Sequence, residues 1–351
     1  MKKVWLFLLA IFSIVLVACQ SQPEPKEISQ PYDFAIFDED KIVTFKQEGD
    51  SASVVESVAR KNQLQFNKEN TAQSDASFFA VSLQNGKTVE PTIISVQRDD
   101  LTEKIHTLGT TFPYTIASDG TYLYSVTLDE GIRLVKYDKD FNEIENKRLI
   151  DNDFVNMANQ LLVVDDSLYL LMSSVSNDTS MPSTQIWKLS KSFDIEEKIN
   201  IEEPGVYVKM VNVGRTLYLL DRSSGDYASQ GPLLTYQLDT KEKSYVEITT
   251  PLLHPVFIDY EPNRNELLIA TENGKWLTYQ LETHGEKISE FSTVYDDIVV
   301  PFFAKTPTHQ YFLFHKTLFI LNVETNYSEI IYLQEFDIKL AHALVINSEN
   351  D

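Results

Sequence analysis

The sequence predicts an all-β fold: a seven-bladed β-propeller of four-stranded blades, its ring closed by the C-terminal strand joining the N-terminal blade. Three features predict it. The stretch Leu234-Thr235-Tyr236-Gln237-Leu238-Asp239-Thr240 returns 43 residues later as Leu277-Thr278-Tyr279-Gln280-Leu281-Glu282-Thr283, alternating large with polar residues and ending in an acidic turn, as a propeller blade does. An apolar strand led by a polar residue starts at Asp33, Ser77, Thr121, Ser167, Thr216, Glu266 and Gln310, at spacings of 44, 44, 46, 49, 50 and 44 residues. Finally, residues 340–346 form an inner-type strand with nothing after it, whereas residues 33–59 lack an inner strand before them, so pairing the two completes a blade and removes an open edge.

Taken in order, the chain begins with Met1-Lys2-Lys3 and an apolar run over residues 4–15, followed by Leu16-Val17-Ala18-Cys19. The run is shorter than the roughly 20 residues that span a bilayer, and it reads as a secretory signal. Leu16 to Cys19 resembles the lipobox of bacterial lipoproteins, in which the cysteine is lipidated and becomes the mature N-terminus. That resemblance makes Cys19 the lipidation site, residues 1–18 the signal peptide and residues 19–31 a polar, proline-containing tether. The expected location is the outer side of the cytoplasmic membrane, as on a Gram-positive cell surface. Cys19 is also the sole cysteine, so packing alone must hold the body, residues 32–351.

Within that body the repeated strands, such as Leu168-Tyr169-Leu170 and Leu267-Leu268-Ile269, are apolar on both faces, as they must be with a blade on either side. The following strand alternates, as in Trp187-Lys188-Leu189-Ser190 and Tyr236-Gln237-Leu238-Asp239, and closes on a turn residue. An outer strand with many polar positions comes next, as over 143–149 and 196–201, and then a new inner strand, as over 206–213 and 254–260. Helical periodicity is not sustained anywhere. The repeats are similar to those of the lactonase-like or quinoprotein-like (YVTN-type) propellers over about residues 32–347, although the tryptophan docking repeats of true quinoproteins are missing. That resemblance implies architecture only.

The formal charge is −22, or −24 once Lys2 and Lys3 leave with the signal, which disfavours nucleic acid and anionic lipid headgroups and suits cations or basic partners. The same charge serves simple solubility. Ligands are expected at the mouth formed by the loops between the two middle strands and those leading into each next inner strand. Two loops of the first set are long, residues 173–183 and 222–231, and supply Asn177, Asp178, Met181, Arg222, Asp226, Tyr227 and Gln230. The second set adds the weak metal candidates Asp151, Asp153, Asp296 and Asp297. Oxygen donors of this kind suit Ca²⁺, yet no single loop carries enough of them, and no cofactor is implied. Asp138-Lys139-Asp140-Phe141-Asn142-Glu143 opens like a calcium loop but has Glu143 where the sharp turn needs Gly, so it reads as a turn between strands.

Lys209, His254, Asp259, Lys305 and His342 fall on or beside inner strands and are the candidate channel residues. The six histidines show no pair at zinc-site spacing, and there is no phosphate loop, nucleophile elbow or basic stripe. The expected function is therefore non-catalytic: a membrane-anchored propeller that binds a protein, peptide or glycan. The alternative is a metal-dependent propeller hydrolase or lyase acting in the central channel.

Overall fold

A computed structural model describes residues 28–60, 62, 64–83, 91–108, 112–128, 131–149, 154–176, 182–224, 230–272, 274–290 and 301–350. Its strands form seven antiparallel four-stranded sheets. Blade one holds β1 (Phe34–Phe37), β2 (Lys41–Glu48) and β3 (Ser51–Ala59), and blade two β4 (Gln65–Gln73), β5 (Ser77–Leu83), β6 (Thr92–Gln97) and β7 (Glu103–Thr107). Blade three comprises β8 (Pro113–Ser118), β9 (Leu123–Leu128), β10 (Ile132–Tyr137) and β11 (Glu143–Leu149), and blade four β12 (Phe154–Val164), β13 (Ser167–Ser176), β14 (Pro182–Ser190) and β15 (Ile195–Ile201). Blade five runs through β16 (Tyr207–Val213), β17 (Thr216–Asp221), β18 (Leu233–Gln237) and β19 (Lys243–Tyr245). Blade six has β20 (Pro255–Glu261), β21 (Glu266–Thr271), β22 (Lys275–Gln280) and β23 (Glu286–Glu290), and blade seven β24 (Phe302–Lys305), β25 (His309–Leu313), β26 (Thr317–Asn322) and β27 (Ser328–Tyr332). The last strand, β28 (Ala343–Ile346), returns to blade one as its inner strand, with Phe34 opposite Ile346 and Phe37 opposite Ala343.

The repeated second strands are mostly buried because both their faces are covered; all six residues of β21 are buried, as are all four of β1. The apolar side chains meet between blades rather than within them. Tyr169 and Leu171 of blade four share a core with Tyr207 and Leu217 of blade five, and Trp276 of blade six packs on Phe312 of blade seven. Tyr236 and Tyr279, the matching tyrosines of the near-identical stretches, are both buried in such seams. The outer strands alternate or are mostly exposed, as in β11, where only Leu149 is fully buried.

One backbone feature recurs in every blade. The turn between the third and fourth strands carries a left-handed residue: Gly49, Leu101, Phe141, Phe193, Lys241, His284 and Asn326, with φ between 56° and 64°. Apolar residues hold this uncommon conformation where they wedge into the preceding blade, as Phe193 does against Tyr124 and Phe141 against His106. The Asp138 to Asn142 segment is such a turn. Its carboxylate accepts the backbone N–H of Asp140 and Asn142 and the Asn142 amide, bonds that lower the Asp138 pKa.

Ring closure is reinforced by polar locks. The buried Asp38 carboxylate accepts the backbone N–H groups of Lys339 and Leu340, at 2.9 Å each. Arg98, fully buried, donates through Nε to the Ile346 carbonyl at 2.9 Å and through Nη1 to the carbonyls of Ser74 and Asp75. Arg60 pairs with Glu103 at 2.7 Å, donates to the Asp38 carbonyl and stacks on Phe37 and Phe66, tying blade one to blade two.

Candidate functional site

The inner strands surround a central channel, and at one end of it lies a cavity of about 520 Å³. Four inner strands line it, β4, β20, β24 and β28, together with the turns that follow β20 and β24. Strand alternation puts Phe257, Asp259 and Glu261 of β20 on the cavity side, after a bulge at Val256 that breaks the ladder to β21. Short β24 contributes Phe302 to Lys305, and Ile346 closes β28.

Two halves of the lining differ in chemistry. Phe78, Phe257, Phe302, Phe303 and Ile346 make an apolar wall, with Phe257 and Phe303 5.3 Å apart and Phe78 and Phe302 5.7 Å apart. Beside them in the lining are Lys305, Asp259, Glu261, Gln73, Asn263 and Thr306. Lys305 Nζ donates to Asp259 Oδ2 at 2.6 Å and to the Tyr260 carbonyl at 2.5 Å, bridging blades six and seven. Both side chains keep 30% of their surface exposed, and among the described residues the third ammonium hydrogen and Asp259 Oδ1 have no further partner. A concave space of this size with an apolar wall and a few converging polar groups is what small-ligand sites look like.

Of the five channel candidates, Asp259 and Lys305 thus meet in this cavity. Lys209 sits half-buried beside the bulge in β16, outside the cavity lining. His254 is exposed just ahead of β20, with φ of 48° and its backbone bonded to Ser224 and Glu272. His342 is buried where the chain enters β28, and burial together with the Arg60 charge pushes its imidazole down to about 4. Among the loop candidates, Arg222 pairs with Glu272 of the next blade at 2.5 Å, and Gln230 is exposed. Cys19, Asn177, Asp178, Met181, Asp226, Tyr227, Asp151, Asp153, Asp296 and Asp297 lie outside the described residues. Among the described residues no three of His, Cys, Asp and Glu stand close enough to hold a metal. No helix in the described residues is long and apolar enough to cross a membrane.

The cavity opens at the end where inner strands turn into second strands, opposite to the mouth expected from loop length. Glu261, Gln73, Asn263 and Thr306 were not singled out from the sequence, because Glu261-Pro262-Asn263 reads simply as a turn. The alternation of Phe257, Asp259 and Glu261 was the signal that could have found them. A second polar contact, between Ser95 Oγ and His106 Nε2 at 3.0 Å, has the look of a nucleophile and its base. Ser95 is only 4% exposed and His106 stacks on Phe141 at 3.5 Å, so the contact serves packing.

No protein-family model matches the chain, and neither does any curated protein. Solved structures do share its shape. A functionally unknown protein from Desulfotomaculum acetoxidans aligns with a TM-score of 0.59 at 11% identity, covering 90% of this chain and 99% of that one. A Bacteroides fragilis protein assigned provisionally as a 6-phosphogluconolactonase gives 0.56 at 12% identity, covering 89% and 96%. An oligogalacturonate lyase in complex with manganese gives 0.56 at 11% identity, covering 83% and 85%. At such identities the likeness is one of fold: the chain is a seven-bladed β-propeller.

Proposed function

We propose that the protein is a membrane-anchored, extracytoplasmic binding propeller that receives a peptide or glycan group in its channel cavity. The observation that carries this reading is the cavity itself, lined by phenyl groups together with an amine and a carboxylate that each retain unused hydrogen-bonding capacity. The signal and Leu16 to Cys19 supply the address. Ligand binding is tested with the full-length protein in detergent against panels of peptides and oligosaccharides, alongside an Ala304→Trp variant that fills the cavity. Binding lost in that variant supports the channel site; binding that survives it refutes it. For the anchor, Cys19→Ala is expected to leave the membrane fraction, and continued membrane association refutes lipidation.

A hydrolase or lyase acting in the channel is the second reading. Its support is the fold shared with the lactonase-assigned protein and the oligogalacturonate lyase. The described residues offer no group of three metal-ligating side chains for it, and of the two carboxylates in the cavity lining Asp259 is already paired with Lys305. Release of product from oligogalacturonate or a sugar lactone by the purified protein, with added Mn²⁺ or Ca²⁺, would establish this reading instead.

A further inference from the structure

We propose that the channel cavity selects an organic cation, an amine or guanidinium carried on an apolar body, and rejects acids; this rests on the reading that the cavity binds a ligand. The charge balance of the lining points there. Two carboxylates, Asp259 and Glu261, face one ammonium, Lys305, while β4 and β28 bring no charge to the lining. Asp259 already answers Lys305 at 2.6 Å, which leaves the charge of Glu261.

Glu261 is only 5% exposed, and the one hydrogen bond that its carboxylate accepts among the described residues is a long contact of 3.3 Å from the Asn263 N–H. A buried carboxylate so weakly answered is costly, and a cation entering beside it removes that cost. Glu266, opposite Glu261 in the register of β20 and β21, adds to the negative field, although Arg264 balances it at 2.9 Å.

The walls favour the same ligand. Phe257 and Phe303 line the cavity and aromatic rings attract a cation, while together with Phe78, Phe302 and Ile346 they accept its apolar body. At long range the −22 charge of the chain raises the concentration of cations near the mouth and lowers that of anions.

Trp276 supplies a reporter, since its ring lies 5.6 Å from Phe257 and 6.1 Å from Phe303, directly behind the wall. Full-length protein in detergent is titrated with three probes of one shape, phenethylamine, 3-phenylpropionate and phenethyl alcohol. The Trp276→Phe variant defines which part of the emission change belongs to the site. Only the amine is expected to saturate, with affinity falling about tenfold between about 50 and about 500 mM NaCl.

Glu261→Gln should weaken the amine about tenfold, whereas Lys305→Met, by freeing Asp259, should tighten it by a factor of about three to ten. Melting curves confirm that both variants fold. Acid binding as tight as the amine, or weaker amine binding in Lys305→Met, overturns the charge preference and leaves the cavity reading standing. If no probe changes Trp276 emission and the peptide and oligosaccharide panels are silent too, both fall together.

Discussion

At Lys241 the backbone holds a φ of 64° without the freedom of glycine. A left-handed non-glycine residue costs about 1 kcal/mol, and the exposed ion pair of Lys241 with Glu197 returns little of it. Lys241→Gly is therefore expected to stabilise the fold slightly and raise the melting temperature by about 2 °C, measured by thermal unfolding. Leu101, Phe141 and Phe193 hold the same conformation, but their side chains fill seams between blades, so glycine there is expected to destabilise. His342 acts in the opposite direction through its proton. Its folded pKa of about 4 lies below the ordinary 6.5 because burial, and then Arg60, disfavour the charged ring, with Asp38 opposing. Between those two values the unfolded chain binds a proton that the folded one refuses, so stability is full above pH 6.5 and falls as pH drops towards 4. The loss from His342 amounts to about 3 kcal/mol. His106, lowered for the same reason and flanked by Lys104, adds to it. Urea unfolding at neutral and mildly acidic pH checks this, and a His342→Phe variant should show a shallower pH dependence.

Among the elements, β28 matters out of proportion to its four residues. It supplies the whole inner edge of blade one, receives Arg98 at Ile346 and follows the segment held by Asp38. A chain ending at residue 337 leaves the hydrogen-bonding edge of β1 unpaired and is expected to lose its cooperative transition, read by near-ultraviolet circular dichroism and size exclusion. This closure was legible in the sequence because residues 340–346 had no strands to follow and residues 33–59 had no inner strand to precede them. The second strands were legible for a related reason: burial on both faces forces an apolar run, and Ser77, Ser167, Thr216 and Glu266 are the observed starts of β5, β13, β17 and β21. The cavity was less so. Asp259 and Lys305 were visible as charged residues on inner strands, but their pairing depends on how blades six and seven approach each other, and nothing local encodes that distance. Glu261 carries no mark in the sequence because its burial comes from packing around the channel rather than from its neighbours along the chain. The expected mouth follows from loop length, whereas the cavity lies among β4, β20, β24 and β28 and the turns after β20 and β24.

For the molecule as a whole, 52 acidic residues against 30 basic ones leave a surface that repels itself. Added salt shortens the reach of that repulsion, so the unfolding midpoint in urea is expected to rise between low and moderate NaCl, at about 10 and about 300 mM. An unchanged midpoint would show that the acidic groups are already compensated by local pairs such as Arg215 with Asp239 and Lys243 with Glu203. The same ring determines how the body bears load. A pull on the N-terminal end first meets Ser29 and Gln30, whose N–H groups are held only by the exposed Glu56 carboxylate. Beyond them the force runs along β1, which lies hydrogen-bonded between β2 and β28. Those two ladders are then strained in shear, every rung together, instead of being unzipped one at a time. The contacts of Ser29 and Gln30 yield early, and the propeller behind them behaves as a body that tension on its N-terminal strand does not open.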